Sequence, residues 1–139
     1  MTDATTAANA AMSIAASALQ AQQARMRVIA ENIANADSTA TTAGGDPYRR
    51  QTPVFVPQQV TGGTGVVMKG SQPDQKPFRM EYNPGNPAAD AKGYVKMSNV
   101  DPLVEALDMR EAQRAYEANL NVIETARTMQ SRTLDILKP

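Results

Sequence analysis

The sequence predicts a mainly α protein in which long N- and C-terminal helices pair as a coiled-coil-like layer around a small β-rich or extended insertion. Every glycine lies between Gly44 and Gly93, so both ends of the chain lack this helix breaker. Apolar residues in both ends recur at helical spacing. We therefore expect an N-terminal helix in residues 1–36, an insertion in residues 37–98, and a C-terminal helix in residues 99–139 that packs with the first segment as one discontinuous domain.

The N-terminal segment carries a heptad pattern. A helix from about Thr5 to Ala34 would be roughly 45 Å long at 1.5 Å per residue, and it needs a partner to cover its apolar face. Its apolar residues repeat every seven positions, with a second set between them, as in the seam of a coiled coil. The first set is Met12, Leu19, Met26 and Ile33, and the second is Ala15, Gln22 and Ile29.

The C-terminal segment predicts a second amphipathic helix. Asp101 is a good N-cap, and Pro102 is suited to the first helical turn. The helix would have roughly 35 residues and a length of about 50 Å. One face carries Met109, Ala112, Tyr116, Leu120, Ile123, Ala126, Leu134 and Leu137. We expect five residues of this face to pack, within one chain or between copies, against Met12, Leu19, Met26, Ile29 and Ile33; the five are Tyr116, Leu120, Ile123, Leu134 and Leu137.

Short segments rich in aromatic and β-branched residues lie between the two predicted helices. They are separated by turn-forming runs such as TGGTG and NPGNP, so they predict the strands of a small β element or an ordered extended loop. The segments are Tyr48 to Val56, Val66 to Lys69, Phe78 to Tyr82 and Tyr94 to Met97. The polar run from Ser71 to Pro77 is predicted to be flexible.

Composition excludes several classes of function. The 14 basic and 14 acidic residues are mixed along the chain, which argues against nucleic acid or an anionic membrane surface as the main partner. The chain has no cysteine and no histidine, so a thiolate nucleophile, a zinc cluster and a histidine base are absent. No apolar run approaches the roughly 18 to 20 residues that span a bilayer. We expect no cofactor, no metal and no membrane insertion, and we interpret the alanine-rich N-terminus as retained in the mature protein because it lacks the pattern of a secretory signal.

Two polar motifs are open to more than one interpretation. The pair Arg49 and Arg50 could grip a phosphate or a carboxylate of a partner, or could be an ordinary polar strand edge. The segment from Asn32 to Asn35 could be a recognition element. Alternatively, Asn35 could simply end the first helix in a left-handed conformation.

Carboxylates on the second predicted helix raise the possibility of acid–base catalysis. Asp108, Glu111 and Glu117 are interspersed with arginines at positions 110, 114 and 127, which favours a solvated or intersubunit salt-bridging face. The glycine-rich run at residues 62–65 lacks the lysine of a phosphate-binding loop and favours a turn.

Two segments resemble a known family. RVIAENIANADSTATTAGGDPYRRQTPVF resembles the start of the flagellar axial proteins, and its GGDPYRRQ is similar to the family of flagellar basal-body rod protein C. EYNPGNPAADAKGYVKMSNVDPLVEALDMREAQRAYEANLNVIETA resembles the remainder of that family, so the likeness covers about two-thirds of the chain. Asn86 stands where the family commonly has His, and Ser98 stands where Pro is common.

The resemblance implies a structural subunit of the proximal rod, which polymerises into the drive shaft that transmits motor torque, and not an enzyme. It implies export through the flagellar type III apparatus without a cleaved signal, and a rod that crosses the periplasm. It also implies contacts with further copies and with other rod proteins, namely rod protein B, the distal rod proteins and the rod-to-ring adaptor. From the residue pattern we assign fifteen residues to such contacts, namely Met12, Leu19, Met26, Ile29, Ile33, Asn32, Asn35, Arg49, Arg50, Met109, Tyr116, Leu120, Ile123, Leu134 and Leu137.

Three alternatives remain at this point. The chain could be another flagellar axial protein, such as rod protein B or a distal rod protein. It could be a soluble helical adaptor or chaperone that binds partner helices without polymerising. It could also be a carboxylate enzyme acting on cell-wall glycan, although the residues supply no defined acid–base pair.

Overall fold

The computed structural model describes residues 2–139, which form two helices and four strands. The strands form two separate two-stranded sheets, one of β1 and β2 and one of β3 and β4. In chain order the elements are α1 Thr2–Ala34, β1 Gln51–Val60, β2 Gly63–Pro73, β3 Arg79–Tyr82, β4 Tyr94–Met97 and α2 Pro102–Leu137.

The mainly α class predicted from the sequence is wrong, because the chain combines helix and sheet. Helices account for 50% of the chain and strands for 21%, with two small sheets between the terminal helices. The largest difference is in β2, which runs from Gly63 to Pro73 where the sequence predicted only Val66 to Lys69. Glycines and polar residues with poor strand propensity extend β2 because pairing with β1 overrides intrinsic preference.

The chain forms two compact units by contact density. Unit 1 comprises Met1–Met26, Val54–Gly70 and Arg110–Pro139, and unit 2 comprises Arg27–Pro53 and Ser71–Met109. Each unit therefore contains part of α1, part of α2 and strand residues.

In unit 1, α1 and α2 run antiparallel. Asn9 Oδ1 accepts a hydrogen bond from Gln130 Nε2 at 2.6 Å, and Gln23 Nε2 donates to Tyr116 Oη at 3.5 Å. The residues buried most deeply in this unit are mainly alanines, which allow the two backbones to approach closely; they include Ala8, Ala15, Ala21, Ala112 and Ala126.

The tip of the β1–β2 hairpin packs on a second face of α1 in unit 1. A Cβ at Gly62 would lie 2.6 Å from Ala10 Cβ, and a Cβ at Gly63 would lie 3.0 Å from Ile14 Cδ1. Ser17 Oγ accepts a hydrogen bond from the Val66 backbone N–H at 3.1 Å. Helix α1 therefore buries two faces, and glycine is needed where the hairpin approaches it.

The seam of α1 lies beside the one predicted. The intervening positions Ala15 and Ile29 are 3% exposed, whereas Met12, Leu19 and Met26 of the first heptad set are only half-buried and Ile33 is 40% exposed. The sequence predicted a seam through the largest apolar side chains. In unit 1 the hairpin packs on α1 near Ala10, Ile14 and Ser17, and the edge of α1 that carries Met12, Leu19 and Met26 is only partly covered.

On α2 the predicted face is only partly buried. Ala112 and Ala126 are buried, and Met109, Tyr116 and Ile123 are half-buried. In contrast, the three predicted leucines are exposed by 38%, 61% and 51%; they are Leu120, Leu134 and Leu137. The half-buried line of α2 instead continues through the polar residues Gln130 and Thr133.

In unit 2, β3 and β4 pair antiparallel with Arg79 opposite Met97 and Tyr82 opposite Tyr94. The two tyrosine rings meet edge to face, with centroids 5.3 Å apart. The short strand β4 contributes Val95 to the core of this unit, where the side chain is 1% exposed.

The predicted start of α2 is confirmed. Asp101 Oδ1 accepts a hydrogen bond from the Leu103 backbone N–H at 3.0 Å, and the Asp101 carbonyl accepts one from the Glu105 N–H at 3.0 Å. The side-chain bond satisfies an N–H group of the first turn that has no partner within the helix, which is the function of an N-cap, and the carbonyl bond is the first i to i−4 bond of the helix.

Candidate functional site: a buried polar cluster in unit 2

The last turn of α1 carries Asn32 into the interior of unit 2, where the residue is 1% exposed. Its amide nitrogen donates to the Gln51 carbonyl at 2.8 Å and to Glu105 Oε2 at 3.1 Å. Its amide oxygen accepts from Tyr48 Oη at 2.8 Å and from the Gln51 N–H at 2.9 Å. All four hydrogen-bonding positions of the side chain are used, so Asn32 links α1 to β1 and to α2 within this unit.

Arg50 lies at the centre of the same cluster. Its guanidinium binds Glu105 through Nε, Asp74 Oδ2 through Nη1 at 3.2 Å, and Asp108 Oδ2 through Nη2 at 3.2 Å. The Arg50 backbone N–H also donates to Asn99 Oδ1 at 2.7 Å. Burial alone would lower the pKa of Arg50, but the hydrogen bond and negative charge of Glu105, followed by those of Asp74, outweigh it and raise the pKa.

The three carboxylates around Arg50 differ in exposure. The side chain of Glu105 is 0% exposed, whereas those of Asp74 and Asp108 are 15% and 32% exposed. The excess negative charge can therefore be solvated at the two aspartates, but Glu105 depends on Arg50 as its cation. A buried charge with a single charged partner is costly to leave without it.

Arg49 holds the segment after β2. Its guanidinium lies 4.2 Å from the centroid of the Phe78 ring and donates to the carbonyls of Asp74 at 2.9 Å and Lys76 at 3.0 Å. Asn99 Nδ2 donates to the same two carbonyls. The predicted flexibility of Ser71 to Pro77 is therefore wrong, because Ser71 to Pro73 belong to β2 and the next residues are held by two side chains.

Hydrogen bonding also shifts two other pKa values in unit 2. The pKa of Asp74 is lowered, chiefly by the hydrogen bond from the Lys76 backbone N–H and also by Arg50, against the opposing effect of burial. The pKa of Tyr48 is raised, first by burial and then by the charges of Glu31 and Glu105. These shifts stabilise the charged form of Asp74 and the neutral form of Tyr48, which are the forms that make the observed hydrogen bonds.

Arg49 and Arg50 both form contacts inside unit 2. The sequence had suggested a grip on a partner or a polar strand edge, and neither interpretation includes these internal contacts. Asn32 is likewise fully occupied by internal hydrogen bonds. Asn35 Nδ2 donates to the Glu31 carbonyl at 2.9 Å. The left-handed conformation suggested for Asn35 is wrong, since within residues 2–139 only glycines have a positive φ.

The carboxylates considered for catalysis lie in different settings. Asp108 is bound to Arg50, and Glu111 lies 3.5 Å from Arg25 on an exposed part of unit 1. Glu117 is exposed. In the described part of the chain, no group of three or more acidic, cysteine or histidine side chains could hold a metal ion. No helix within residues 2–139 has an apolar stretch long enough to cross a membrane.

Sequence reasoning missed Tyr48, Asp74, Asn99 and Glu105 as members of the cluster. One signal for Glu105 was present: it lies four residues before Met109 and seven before Ala112, on the apolar side of α2. A carboxylate at helical spacing with core residues predicts a buried ion pair, because an unpaired charge would not be tolerated there.

Comparisons with known proteins agree with the sequence motifs. Residues 12–40 match the family described as Flagella basal body rod protein, and residues 91–136 match the family described as Flagellar basal body rod FlgEFG protein C-terminal. The flagellar basal-body rod protein FlgC of Agrobacterium fabrum is 50% identical over 94% of this chain and 95% of its own length. The proteins of the same name from Salmonella typhimurium and Borreliella burgdorferi are 46% and 36% identical, over 88% and 91% of this chain and 92% and 95% of their own lengths. On this evidence the chain belongs to the family of flagellar basal-body rod protein FlgC.

Proposed function

We propose that this chain is a structural subunit of the proximal rod of the bacterial flagellum, which polymerises into the drive shaft that transmits motor torque and performs no catalysis. The observation that carries this proposal is the likeness, over nearly the whole chain, to relatives named flagellar basal-body rod protein FlgC. That likeness extends across both helices and the strands between them.

The composition of the core supports a subunit that gains stability on assembly. The buried apolar side chains are alanines and valines apart from Ile29, which is 3% exposed. Many larger apolar side chains are exposed, including Met129 at 56%, Leu134 at 61% and Ile136 at 78%. Exposed apolar surface of this kind marks contacts with other chains. Such contacts bind only the folded state and stabilise it by mass action.

The edge of α1 left uncovered in unit 1 supports contacts between rod subunits. Met12, Leu19 and Met26 are half-buried on one line of the helix. We assign this edge, together with the exposed leucines of α2, to contacts with further copies and with other rod proteins. The proposed partners are rod protein B, the distal rod proteins and the rod-to-ring adaptor.

Export by the flagellar type III apparatus is part of the same proposal. A chain with a core mainly of alanine and valine has little apolar burial to oppose unfolding, so it can be kept unfolded for passage through a narrow channel. The proposed location is the basal body, with the rod crossing the periplasm.

Single substitutions in the helical faces test the proposal. Leu19→Asp or Ile123→Asp should abolish rod assembly and swimming, because a carboxylate would enter an apolar contact. Gln20→Asp is the matched control, since this neighbouring side chain is exposed and polar, and it should preserve swimming. Normal swimming of the Leu19→Asp or Ile123→Asp strain would contradict the assignment of these faces to assembly.

A further inference from the structure

Helix α2 carries two uncovered apolar surfaces, one in each unit. The first, which we call the leucine ridge, consists of Leu103, Val104 and Leu107 in unit 2, exposed by 70%, 44% and 57%. The second, which we call the alanine groove, is an open cavity in unit 1 with a volume of about 350 Å³. Its walls include Ala8 and Ala11 of α1 and Val122, Ala126 and Met129 of α2.

The alanine groove has the chemistry of a site for an apolar side chain. Alanine, valine, methionine, asparagine and threonine line it, and no charged residue does. The methyl side chains of Ala8 and Ala11 allow an incoming group to approach the α1 backbone closely. Val122 and Met129 on the opposite wall are 44% and 56% exposed. Covering this surface would remove apolar area from water without burying a charge.

The leucine ridge matches the groove in size. Leu103 and Leu107 are four residues apart and so project from the same side of α2. A protein cavity of about 150 Å³ accommodates benzene. A groove of about 350 Å³ therefore has room for two leucine-sized side chains.

Charges of both signs lie beside the two surfaces, and those without an ion pair are mainly opposite in sign. Glu111, which follows the ridge, is paired with Arg25, and Arg127 is next to Ala126 in the sequence. Arg110 and Arg114 follow the ridge at helical spacing, and Glu117 and Glu124 lie at helical spacing to residues of the groove. All four residues are exposed. None of them forms an ion pair within residues 2–139. Complementary charges at the rim of an apolar contact favour the correct partner and register.

We propose that the leucine ridge of one copy docks into the alanine groove of a second copy. Because the ridge and the groove are different surfaces, the contact is heterologous, so each added copy leaves a free ridge and a free groove for the next one. The inference rests on the proposed function and deepens it, since it names the two surfaces through which one rod subunit contacts the next of its kind.

Disulfide cross-linking in assembled basal bodies tests this contact, because the chain has no cysteine of its own. A Leu107→Cys/Met129→Cys variant would be expressed in place of the natural chain, and its purified basal bodies would be oxidised and separated on a non-reducing gel. We expect a ladder of covalent dimers and higher multiples. Neither single variant should give it, because in this contact each position meets the other one. A Leu107→Cys/Gln20→Cys pair is the matched control, since Gln20 is exposed but outside the groove.

Three results would overturn the inference while leaving the rod assignment intact: no ladder although the chain is present in basal bodies, equal ladders from the single variants, or a product whose mass is not a multiple of this chain. The last result would show a different rod protein in the groove. Absence of the chain from basal bodies of swimming cells would instead refute the proposed function.

Charge reversal gives a second test for the case in which the double-cysteine chain fails to assemble. Arg110→Glu/Arg114→Glu should abolish swimming, and adding Glu117→Arg/Glu124→Arg to the same chain should restore it. Loss of swimming without restoration, in chains with the circular dichroism of the natural protein, would contradict the proposed pairing.

Discussion

Removing the cation of the buried cluster should destabilise the chain far more than removing the buried anion. In Arg50→Met, the carboxylate of Glu105 stays buried with only the Asn32 amide as a partner, because its side chain is 0% exposed. Stranding a buried charge in this way costs about 3–5 kcal/mol. A domain of this size has a free energy of unfolding of about 5–15 kcal/mol, so much of it would be lost.

Glu105→Leu should cost only about 1–2 kcal/mol, which is the scale of one or two lost hydrogen bonds. Arg50 would keep Asp74 and Asp108, and Asn32 would keep its bond to the Gln51 carbonyl. The double variant Arg50→Met/Glu105→Leu should cost less than Arg50→Met alone, since no buried charge would then remain unpaired.

Urea unfolding followed by circular dichroism at 222 nm would measure the free energy of unfolding of each variant. Arg49→Met is the matched control and should cost about 1 kcal/mol. It removes a neighbouring cation whose contacts are the Phe78 ring and two backbone carbonyls that Asn99 also binds. A loss below about 1 kcal/mol for Arg50→Met, or a double variant that costs the sum of the two single ones, would refute the reasoning.

Three further predictions concern other positions. Gly62→Ala should destabilise the chain by about 1–3 kcal/mol, because φ is +83° and the new Cβ would lie 2.6 Å from Ala10 Cβ. Gly70→Ala is the control and should cost under about 1 kcal/mol, since its new Cβ would have nothing within 4 Å. Equal losses of the two variants in urea unfolding would contradict this prediction. Asn32→Ala should cost about 2–4 kcal/mol, since it leaves buried partners of four hydrogen bonds unsatisfied; a loss under about 1 kcal/mol would show that the cluster rearranges. The lowered pKa of Asp74 means that the unfolded state binds more protons, so its contribution is present above about pH 4 and is lost as pH falls through the folded-state pKa; Asp74→Asn should flatten this acid dependence, and an unchanged slope would contradict the assignment.

The sequence was a good guide where local chemistry decides the structure. Asp101 and Pro102 start α2 as predicted, because a cap depends on a few neighbouring residues. The strand from Tyr94 to Met97 was predicted with its bounds. In both cases the intrinsic preferences of the residues and their tertiary environment agree.

The sequence misled where tertiary packing decides which surface is buried. The predicted heptad consisted of the large side chains Met12, Leu19 and Met26. The helix and the hairpin approach each other so closely that the buried residues between them are small, namely alanine, serine and glycine. Periodicity alone cannot show that α1 packs on two sides. The extent of β2 was also missed, because Gly63 and Ser71 have low strand propensity and adopt extended structure through pairing.

The buried cluster lay beyond sequence reasoning for a different reason. Its members come from positions 32, 48, 50, 74, 99 and 105, and only the fold brings them together. Arg50 was predicted either to grip an anionic group of a partner or to lie on a polar strand edge, and neither interpretation places it inside a unit. The buried position of Glu105 on α2 was the one local sign that an arginine would be needed inside.

Deletion of the coding gene, with restoration from a plasmid, tests the central claim most directly. Swimming and electron micrographs of basal bodies would be compared in the deletion strain and the restored strain. The account predicts membrane rings without a rod or hook in the deletion strain, and complete rods and filaments on restoration. Normal rods and filaments in the deletion strain would contradict it and would favour a soluble helical adaptor.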